Sequence, residues 1–447
     1  TIIAVIAAPA LVQLYSVSAE TGRGFTPEAF ALATTFAYLC LPQIFFYALY
    51  SLLSETLNAR NIFGPFAWAP VINNVVSIAG LIVFLVLFGG AQQNRDVSAF
   101  TPDKILLLAG TVTLGVVAQA LIVMVFWKRA GLRYRPDFHW RGVGLSTTGK
   151  AAGWLFGMII VTQLAGIVQS KVATLASGSA ASVSTLQASW LIFMLPHSVV
   201  AVSIATAYFT RMSGHAARND LVSVRNDLSA ALRNIGLLVV FAAVALAVVA
   251  YPFARFFESR FDNVLSMGNV VLAFLPGLVL FSALFVVQRA FFALGDTRTP
   301  FYLQTLQSVI FAAGCLACIA LPTDWIAVGI AVATTLAGST QAVVAIILVR
   351  RRLGGVGGTR VILRHLQYLG LSLIAAVAGF ALVVLLGGLS AEGFAQAGPA
   401  QAFASIVLVG LTMGAIYAAL LVVFRNPELA SVTKTISNRL RNRGTEL

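Results

Sequence analysis

Apolar runs of about 20 residues recur along the whole chain, and they constrain its fold more than any other feature. A run of this length spans the hydrocarbon core of a bilayer as a helix. Of the 447 residues, 59% are hydrophobic and only 10% are charged. A soluble protein of this composition would leave a large apolar surface in water. The runs are continuous rather than alternating, which excludes a β-barrel. We therefore predict an all-α polytopic membrane protein.

Twelve of these segments are predicted to cross the membrane. The connections between them are short, so neighbouring segments are expected to run antiparallel. No stretch has the composition of a separate soluble domain. The predicted segments are 1–16, 28–58, 66–89, 104–128, 147–174, 183–210, 232–254, 266–293, 301–321, 325–349, 365–388 and 401–424.

Positive charge is concentrated in alternate connections. The net charge of +14 would favour a nucleic-acid partner in a soluble protein. Here most of the 29 lysines and arginines fall on one side of the predicted membrane, including those of 129–146, 350–364 and 425–447. Loops rich in lysine and arginine stay cytoplasmic. The basic loops and the C-terminus are therefore predicted to be cytoplasmic, the tail is expected to lie on anionic membrane lipids, and no nucleic-acid partner is expected.

A pattern at residues 57–80 returns at residues 292–314. Each copy has an apolar run, a short polar elbow with one arginine, a proline and a second apolar run. The copies lie six predicted segments apart, and an even offset predicts parallel repeats related by an axis along the membrane normal. Asp296 and Arg298 share one elbow and are predicted to form a local ion pair. The residues predicted to act at the elbows are Arg60, Pro65, Asp296, Arg298 and Pro300.

A few charged and amide side chains interrupt the apolar segments. Arg289 lies near the cytoplasmic end of its segment and Lys171 near the outer end of its own. Either cation faces a cavity or extends to the membrane interface, and the sequence leaves both readings open. Amides within spans suit helix–helix hydrogen bonds or a hydrated cavity. The residues predicted to line a cavity are Arg289, Lys171, Gln163, Gln187, Asn74 and Gln43.

No spacing predicts catalysis, a cofactor or a metal site. Cys315 and Cys318 have the spacing of a metal or redox pair, but no histidine or carboxylate cluster accompanies them. We read them as small apolar residues of a helix. The chain is predicted not to be an enzyme.

Several motifs carry a resemblance to a known family: Leu41-Pro42-Gln43, Leu57-Asn58-Ala59-Arg60, Phe63-Gly64-Pro65, Ala69-Pro70 followed by Asn73-Asn74, and the run from Arg289 to Pro300. Together they resemble the MurJ/MviN family, the lipid II flippases of bacterial cell-wall synthesis. This family belongs to the MATE-like multidrug/oligosaccharidyl-lipid/polysaccharide exporter superfamily.

The resemblance implies a MATE-like fold of two helical bundles with two extra C-terminal helices. The family has fourteen helices, so the chain is expected to lack the first two. The implied organisation is an N-terminal bundle of four spans (1–128), a basic cytoplasmic loop (129–146), a six-helix C-terminal bundle (147–349), two extra transmembrane helices (350–424) and a basic cytoplasmic tail (425–447).

The resemblance also implies a function. Such a protein moves lipid II from the inner to the outer leaflet of the bacterial inner membrane by alternating access, with cationic side chains holding the pyrophosphate. Its partners would be lipid II and membrane lipids, and contact with cell-wall synthesis proteins stays open. Where the family has a cavity arginine, this chain has Leu191, which leaves Lys171 and Arg289 as the cations.

Two alternatives stay open at this point. A MATE-type drug/cation antiporter would need a buried carboxylate for coupling, and Glu55 is almost the only acidic residue in the spans. A transport-inactive membrane scaffold of cell-wall synthesis would need no cavity arginine, which agrees with Leu191.

Overall fold

The fold is taken from a computed structural model, which describes residues 1–17, 25–60, 62, 64–90, 93–94, 96–129, 131, 145–176 and 183–429. Most of the predicted basic loop 129–146 and the tail from residue 430 onward lie outside these residues. The chain divides into two compact units, Thr1–Leu145 and Ser146–Leu447. Each unit has its own helices and its own apolar core.

Eleven of the twelve predicted spans are confirmed. Among the described residues, eleven helical segments are long and apolar enough to cross a membrane. The exception is the predicted span 1–16, which forms two short helices, Ile2–Ile6 and Ala8–Tyr15. Neither approaches the roughly 20 residues that a membrane crossing requires.

Within its described residues, the first unit contains six α-helices. Leu53 and Leu57 of the fourth pack with Ala69 of the fifth and Val123 of the sixth in a small buried cluster. The helices are α1 (Ile2–Ile6), α2 (Ala8–Tyr15), α3 (Pro27–Cys40), α4 (Gln43–Ala59), α5 (Gly64–Phe88) and α6 (Pro102–Arg129). At Gly115, α6 comes so close to the Asn73 side chain of α5 that a Cβ would not fit.

The second unit contains the remaining helices. They are α7 (Leu145–Thr174), α8 (Val183–Pro196), α9 (Val202–Ala217), α10 (Leu221–Val248), α11 (Ala250–Ala254), α12 (Phe261–Phe274), α13 (Leu278–Ala293), α14 (Arg298–Ala317), α15 (Ile326–Arg352), α16 (Gly358–Leu385) and α17 (Pro399–Val423). A π-helical turn, His197–Ala201, joins α8 to α9.

The last two helices pack on α10. The Tyr417 ring stacks on Phe241 at a centroid distance of 4.7 Å, and its hydroxyl donates to the Leu237 carbonyl at 2.7 Å. Just after α17, the buried carboxylate of Glu428 accepts from Nε of Arg233 on α10 at 2.8 Å. An ionic contact just beyond α17 thus adds to an interface that also contains aromatic stacking and a hydrogen bond.

A proline interrupts one spanning segment in each unit. In the first unit Pro42 lies between α3 and α4, and in the second unit Pro276 lies in the 3-10 turn between α12 and α13. Proline has no N–H group, and a helix that ends leaves the carbonyls of its last turn without donors. In a bilayer no water replaces those donors, so the protein has to supply them.

At each proline break, a threonine from a later helix donates a hydrogen bond to a backbone carbonyl. Thr113 Oγ1 of α6 donates to the Leu39 carbonyl at 2.8 Å. Thr335 Oγ1 of α15 lies 2.8 Å from the Ala273 carbonyl and 3.2 Å from that of Phe274. Leu39 and Ala273 each stand three positions before the proline of their own unit. The two halves of the predicted repeat therefore share this hydrogen bond from a threonine hydroxyl to a carbonyl before the proline.

One carboxylate closes the elbow between α13 and α14. Asp296 Oδ1 accepts from the backbone N–H groups of Arg298 at 3.1 Å and Thr299 at 3.0 Å. Its ion-pair partner is Arg352 at the end of α15, so the predicted side-chain pair with Arg298 is wrong. Because the carboxylate engages the backbone of Arg298, the guanidinium of that residue lies elsewhere, 5.7 Å from the centroid of the Trp154 ring.

The surroundings of Asp296 favour its charged form. Burial alone would raise the pKa of this carboxyl group. Hydrogen bonds from Thr299, the charge of Arg352 and the Arg298 N–H outweigh burial and lower the pKa below its ordinary value.

We expect Thr335→Val to destabilise the second unit, because valine keeps the shape of threonine but removes the hydroxyl that serves the Ala273 carbonyl. A hydrogen bond of this kind contributes about 0.5–1.5 kcal/mol. The loss is measured as a lower thermal unfolding midpoint in detergent. Thr340→Val is the control, since exposed Thr340 donates to the Leu336 carbonyl within its own helix. Equal losses in the two variants would contradict the role given to Thr335.

Asp296→Ala is expected to lower the free energy of unfolding at pH 7 by about 1–2 kcal/mol, a usual cost of removing a helix cap. Because the folded-state pKa is lowered, the stabilisation is complete above the unfolded-state pKa of about 4 and is lost as the pH falls through the folded-state value. The difference from the wild-type protein should therefore shrink below a pH of about 4. A difference that does not vary with pH would exclude the charged carboxylate as its origin.

The matched control for this pH series is Asp262→Ala. The Asp262 side chain is highly exposed, and its contact with Arg260 spans 3.8 Å. An exposed ion pair of this length contributes little to stability. We therefore expect Asp262→Ala to leave the unfolding midpoint nearly unchanged over the same pH range.

Candidate functional site

A cavity of about 620 Å³ opens among the helices of the second unit. Its walls come from α7, α8, α12, α13, α14 and α15. The lining residues are Thr162, Gln163, Ala165, Gly166, Gln169, Leu186, Gln187, Trp190, Leu191, Phe274, Phe281, Gln304, Gln307, Ser308, Phe311, Thr334, Gly338 and Gln341. Glutamine is the most frequent residue type among them, which is unusual for the interior of a membrane-spanning bundle.

One part of the wall is aromatic and centres on Trp190. Its ring lies 5.5 Å from that of Phe274 and 5.9 Å from that of Phe281, both in edge-on arrangements. Behind this wall the buried His197 ring packs 4.6 Å from Phe281, and its Nδ1 is 3.2 Å from the hydroxyl of Ser282. The packing holds the aromatic rings in place without filling the cavity.

A second part of the wall is a chain of amides on α14 and α15. Gln341 Nε2 donates to Gln304 Oε1 at 3.2 Å. Gln304 Nε2 donates in turn to Gln307 Oε1 at 2.9 Å. The hydroxyl of Ser308 also reaches Gln307 Oε1, at 3.4 Å. Spacings of three and four residues place Gln304, Gln307 and Ser308 on one face of α14.

The remaining glutamines of the lining are unengaged. Within the described part of the chain, no protein group hydrogen-bonds the amides of Gln163 and Gln169 on α7 or of Gln187 on α8. Gln163 and Gln187 are exposed to the cavity. These two predicted residues thus line the same cavity, with amide groups available to a ligand.

Among the described residues, none that lines the cavity carries a charge. The position at which the resemblance implies an arginine holds Leu191, whose side chain is 61% exposed in this lining. The cavity therefore offers hydrogen bonds and aromatic faces, but no fixed cation and no carboxylate.

The two predicted cations lie outside the lining. Arg289 is half-buried near the end of α13, with its guanidinium 4.6 Å from the Phe285 ring centroid and 5.7 Å from that of Phe209. No carboxylate in the described part of the chain forms an ion pair with it. Lys171 is exposed in the last turn of α7, two residues beyond Gln169.

The other predicted residues lie in the first unit or at the elbows. Asn74 is exposed on α5, and Gln43 Nε2 donates to the hydroxyl of Thr113 at 2.8 Å, beside the proline break. Arg60 is exposed at the end of α4, and Pro65 occupies the first turn of α5. Pro300 is buried in the first turn of α14, beyond the Asp296 cap.

Sequence reasoning missed Gln341 and the aromatic wall. Gln341 interrupts the run of small and apolar residues that forms α15, and this interruption was the available signal. Its partner Gln304 was visible only as part of the repeat. Trp190 and Phe281 could not be distinguished from the many other aromatic residues of the spans.

Comparison with known proteins agrees with this architecture. A family model described as "Lipid II flippase MurJ" matches residues 1–395. The "Probable lipid II flippase MurJ" of Haemophilus influenzae is 26% identical over 357 residues, which cover 76% of this chain and 66% of that protein. The chain spans about half the length of other curated relatives that carry this name.

Two solved structures are similar in fold. One is lipid II flippase MurJ in an inward closed conformation, with a TM-score of 0.68 and 18% identity over 95% of this chain and 81% of that chain. The other is an inward-facing MATE-family multidrug resistance transporter, with a TM-score of 0.62 and 17% identity over 80% of this chain and 79% of that chain. The predicted MATE-like, all-helical fold is thereby confirmed.

The family model accounts for most of the chain, and the described helices have the predicted fold of that family. The chain is a multi-pass membrane protein that belongs to the MurJ family.

Proposed function

We propose that the protein moves lipid II, the undecaprenyl-pyrophosphate-linked precursor of peptidoglycan, from the inner to the outer leaflet of the bacterial inner membrane. The observation that carries the proposal is an uncharged, amide-rich cavity inside the membrane-spanning helices of a MurJ-family protein. The two bundles would expose the substrate alternately to each side while the lipid tail stays in the bilayer.

The chemistry of the cavity suits the sugar–peptide part of such a substrate. Sugars and peptides carry many hydroxyl and amide groups and few charges. The free amides of Gln163 and Gln187 both donate and accept hydrogen bonds, and the Trp190 wall supplies a flat apolar surface. A volume of about 620 Å³ lies within the range of about 300–1,000 Å³ that is usual for ligand pockets.

The pyrophosphate needs a different location, because a buried phosphate anion requires a cationic partner. Arg289 is the first choice, since aromatic rings hold its guanidinium while no described carboxylate neutralises it. It lies eight residues beyond Phe281 on α13, or about 12 Å along the helix axis. Lys171, at the end of α7 predicted to face outward, would meet the anion on release.

The proposed orientation follows the distribution of basic residues. Loops rich in lysine and arginine, together with the C-terminal tail, would face the cytoplasm. The elbow between α13 and α14 would then lie on the cytoplasmic side, close to Arg289. The substrate would meet this cation first when it enters from the leaflet in which it is made.

A drug/cation antiporter is less well supported. Coupling to protons or sodium in a cavity requires a carboxylate or a comparable set of charged ligands. None of the lining residues is aspartate or glutamate. Glu55, the acidic residue that the sequence offers for this role, is exposed on α4 of the first unit.

Complementation tests the proposal. A bacterium depleted of its own lipid II flippase would express the full-length gene as wild type, Arg289→Gln, Arg289→Lys or the double variant Gln163→Leu/Gln187→Leu. We expect wild type to restore growth. Arg289→Gln should fail because it has no charge, Arg289→Lys should restore part of the growth, and the double variant should fail because the cavity loses its free amides.

Arg260→Gln is the control for charge removal, because Arg260 is an exposed loop arginine. It is expected to restore growth like wild type. Each variant has to be present in the membrane at the wild-type level. If wild type is present in the membrane and does not restore growth, the flippase proposal is wrong and a scaffold role gains support.

A further inference from the structure

The amide chain on α14 and α15 has a direction. Gln304 uses its carbonyl to accept from Gln341 and its NH2 group to donate to Gln307. Its second donor points at the hydroxyl of Ser308, 3.5 Å away. The carbonyl and the NH2 group of Gln304 are therefore both occupied, and its amide is held in one orientation.

Gln307 stands at the end of this chain, where the chain meets the cavity. Its Oε1 accepts from both Gln304 and Ser308. A carbonyl oxygen accepts about two hydrogen bonds, so this acceptor is filled. Its NH2 group has no partner within the described residues. The chain thus presents N–H donors, and no acceptor, at the Gln307 position of the lining.

The chain begins at a buried end. Gln341 is only 3% exposed, whereas Gln307 is half-buried at the lining. Burying the Gln341 amide without a hydrogen-bond partner would cost free energy. Its partner is the Gln304 carbonyl, and with that carbonyl engaged the NH2 group of Gln304 faces Gln307.

We propose that Gln307 is a specificity-determining residue, and that Gln341 and Gln304 are positioning residues that aim its NH2 group into the cavity. This inference rests on the proposed function. The group recognised is an uncharged hydrogen-bond acceptor, such as the carbonyl of an acylated amino sugar or of a peptide bond. The pyrophosphate is not bound by these amides, because none of the described lining residues carries a positive charge.

Binding of two lipids distinguishes recognition of the headgroup from recognition of the pyrophosphate. Lipid II and undecaprenyl pyrophosphate share the tail and the pyrophosphate, but only lipid II carries the sugar–peptide headgroup. The dissociation constant of each would be measured for the full-length protein purified in lipid nanodiscs. The variants are Gln307→Met and Gln341→Met, which nearly preserve length while removing the amide. Gln401→Met on α17, outside the cavity, is the matched control.

We expect Gln307→Met to weaken lipid II binding by about five- to tenfold, as the loss of one to two neutral hydrogen bonds predicts. Gln341→Met should weaken it by about threefold, because the Gln307 donors remain but are no longer aimed. Binding of undecaprenyl pyrophosphate should change in neither variant. Gln401→Met should leave both lipids unaffected.

The outcomes distinguish this inference from the function on which it rests. If wild type binds neither lipid, the proposed function fails and the inference fails with it. If wild type binds lipid II but the two variants weaken both lipids equally, the amides are only structural and the inference alone is overturned. The same holds if neither variant changes lipid II binding. Equal thermal midpoints would show that a selective loss does not come from unfolding.

Discussion

The bilayer requires every backbone N–H and C=O group within it to find a partner inside the protein, and the rest of the structure depends on this constraint. Helices meet the requirement along their length but not where they break. Both proline breaks are therefore sites where another helix has to supply a donor. Thr113 and Thr335 supply it in the two units. A side chain from a neighbouring helix thus offsets much of the cost of each break.

The bilayer also affects where charged and neutral polar side chains lie. In the described second unit, two of the ionic contacts include a residue at or just beyond a helix end: Asp296 pairs with Arg352, and Glu428 pairs with Arg233. The polar side chains of the described cavity lining are mainly amides and hydroxyls, which cost much less to bury than ions. A cavity built at mid-span from glutamine can thus stay open and polar without a counter-ion, and an anionic part of a ligand has to be held elsewhere.

Much of the fold could be predicted from the sequence, because apolar runs and elbow motifs are local signals. Apolar length predicts the spans, and the return of the 57–80 pattern at residues 292–314 predicts the repeat. Contacts between distant helices leave no such signal. Asp296 and Arg298 are neighbours in sequence, yet the carboxylate caps the backbone of α14 and pairs with Arg352, 56 positions away. Gln163 and Gln187 were identified as polar residues in spans, whereas the link from Gln341 to Gln304 depends on how α15 packs against α14.

The second proline break, at Pro276, adjoins the cavity. Phe274 lines the cavity, and its carbonyl lies within reach of the Thr335 hydroxyl at the break. Thr334, the residue before Thr335, also lines the cavity, as does Gly338 one turn further along α15. A change in the bend at Pro276 would therefore move the aromatic wall relative to the amide chain on α14 and α15. The Thr335 hydrogen bonds thus link the backbone of the break to the helix that carries Thr334 and Gly338 of the lining.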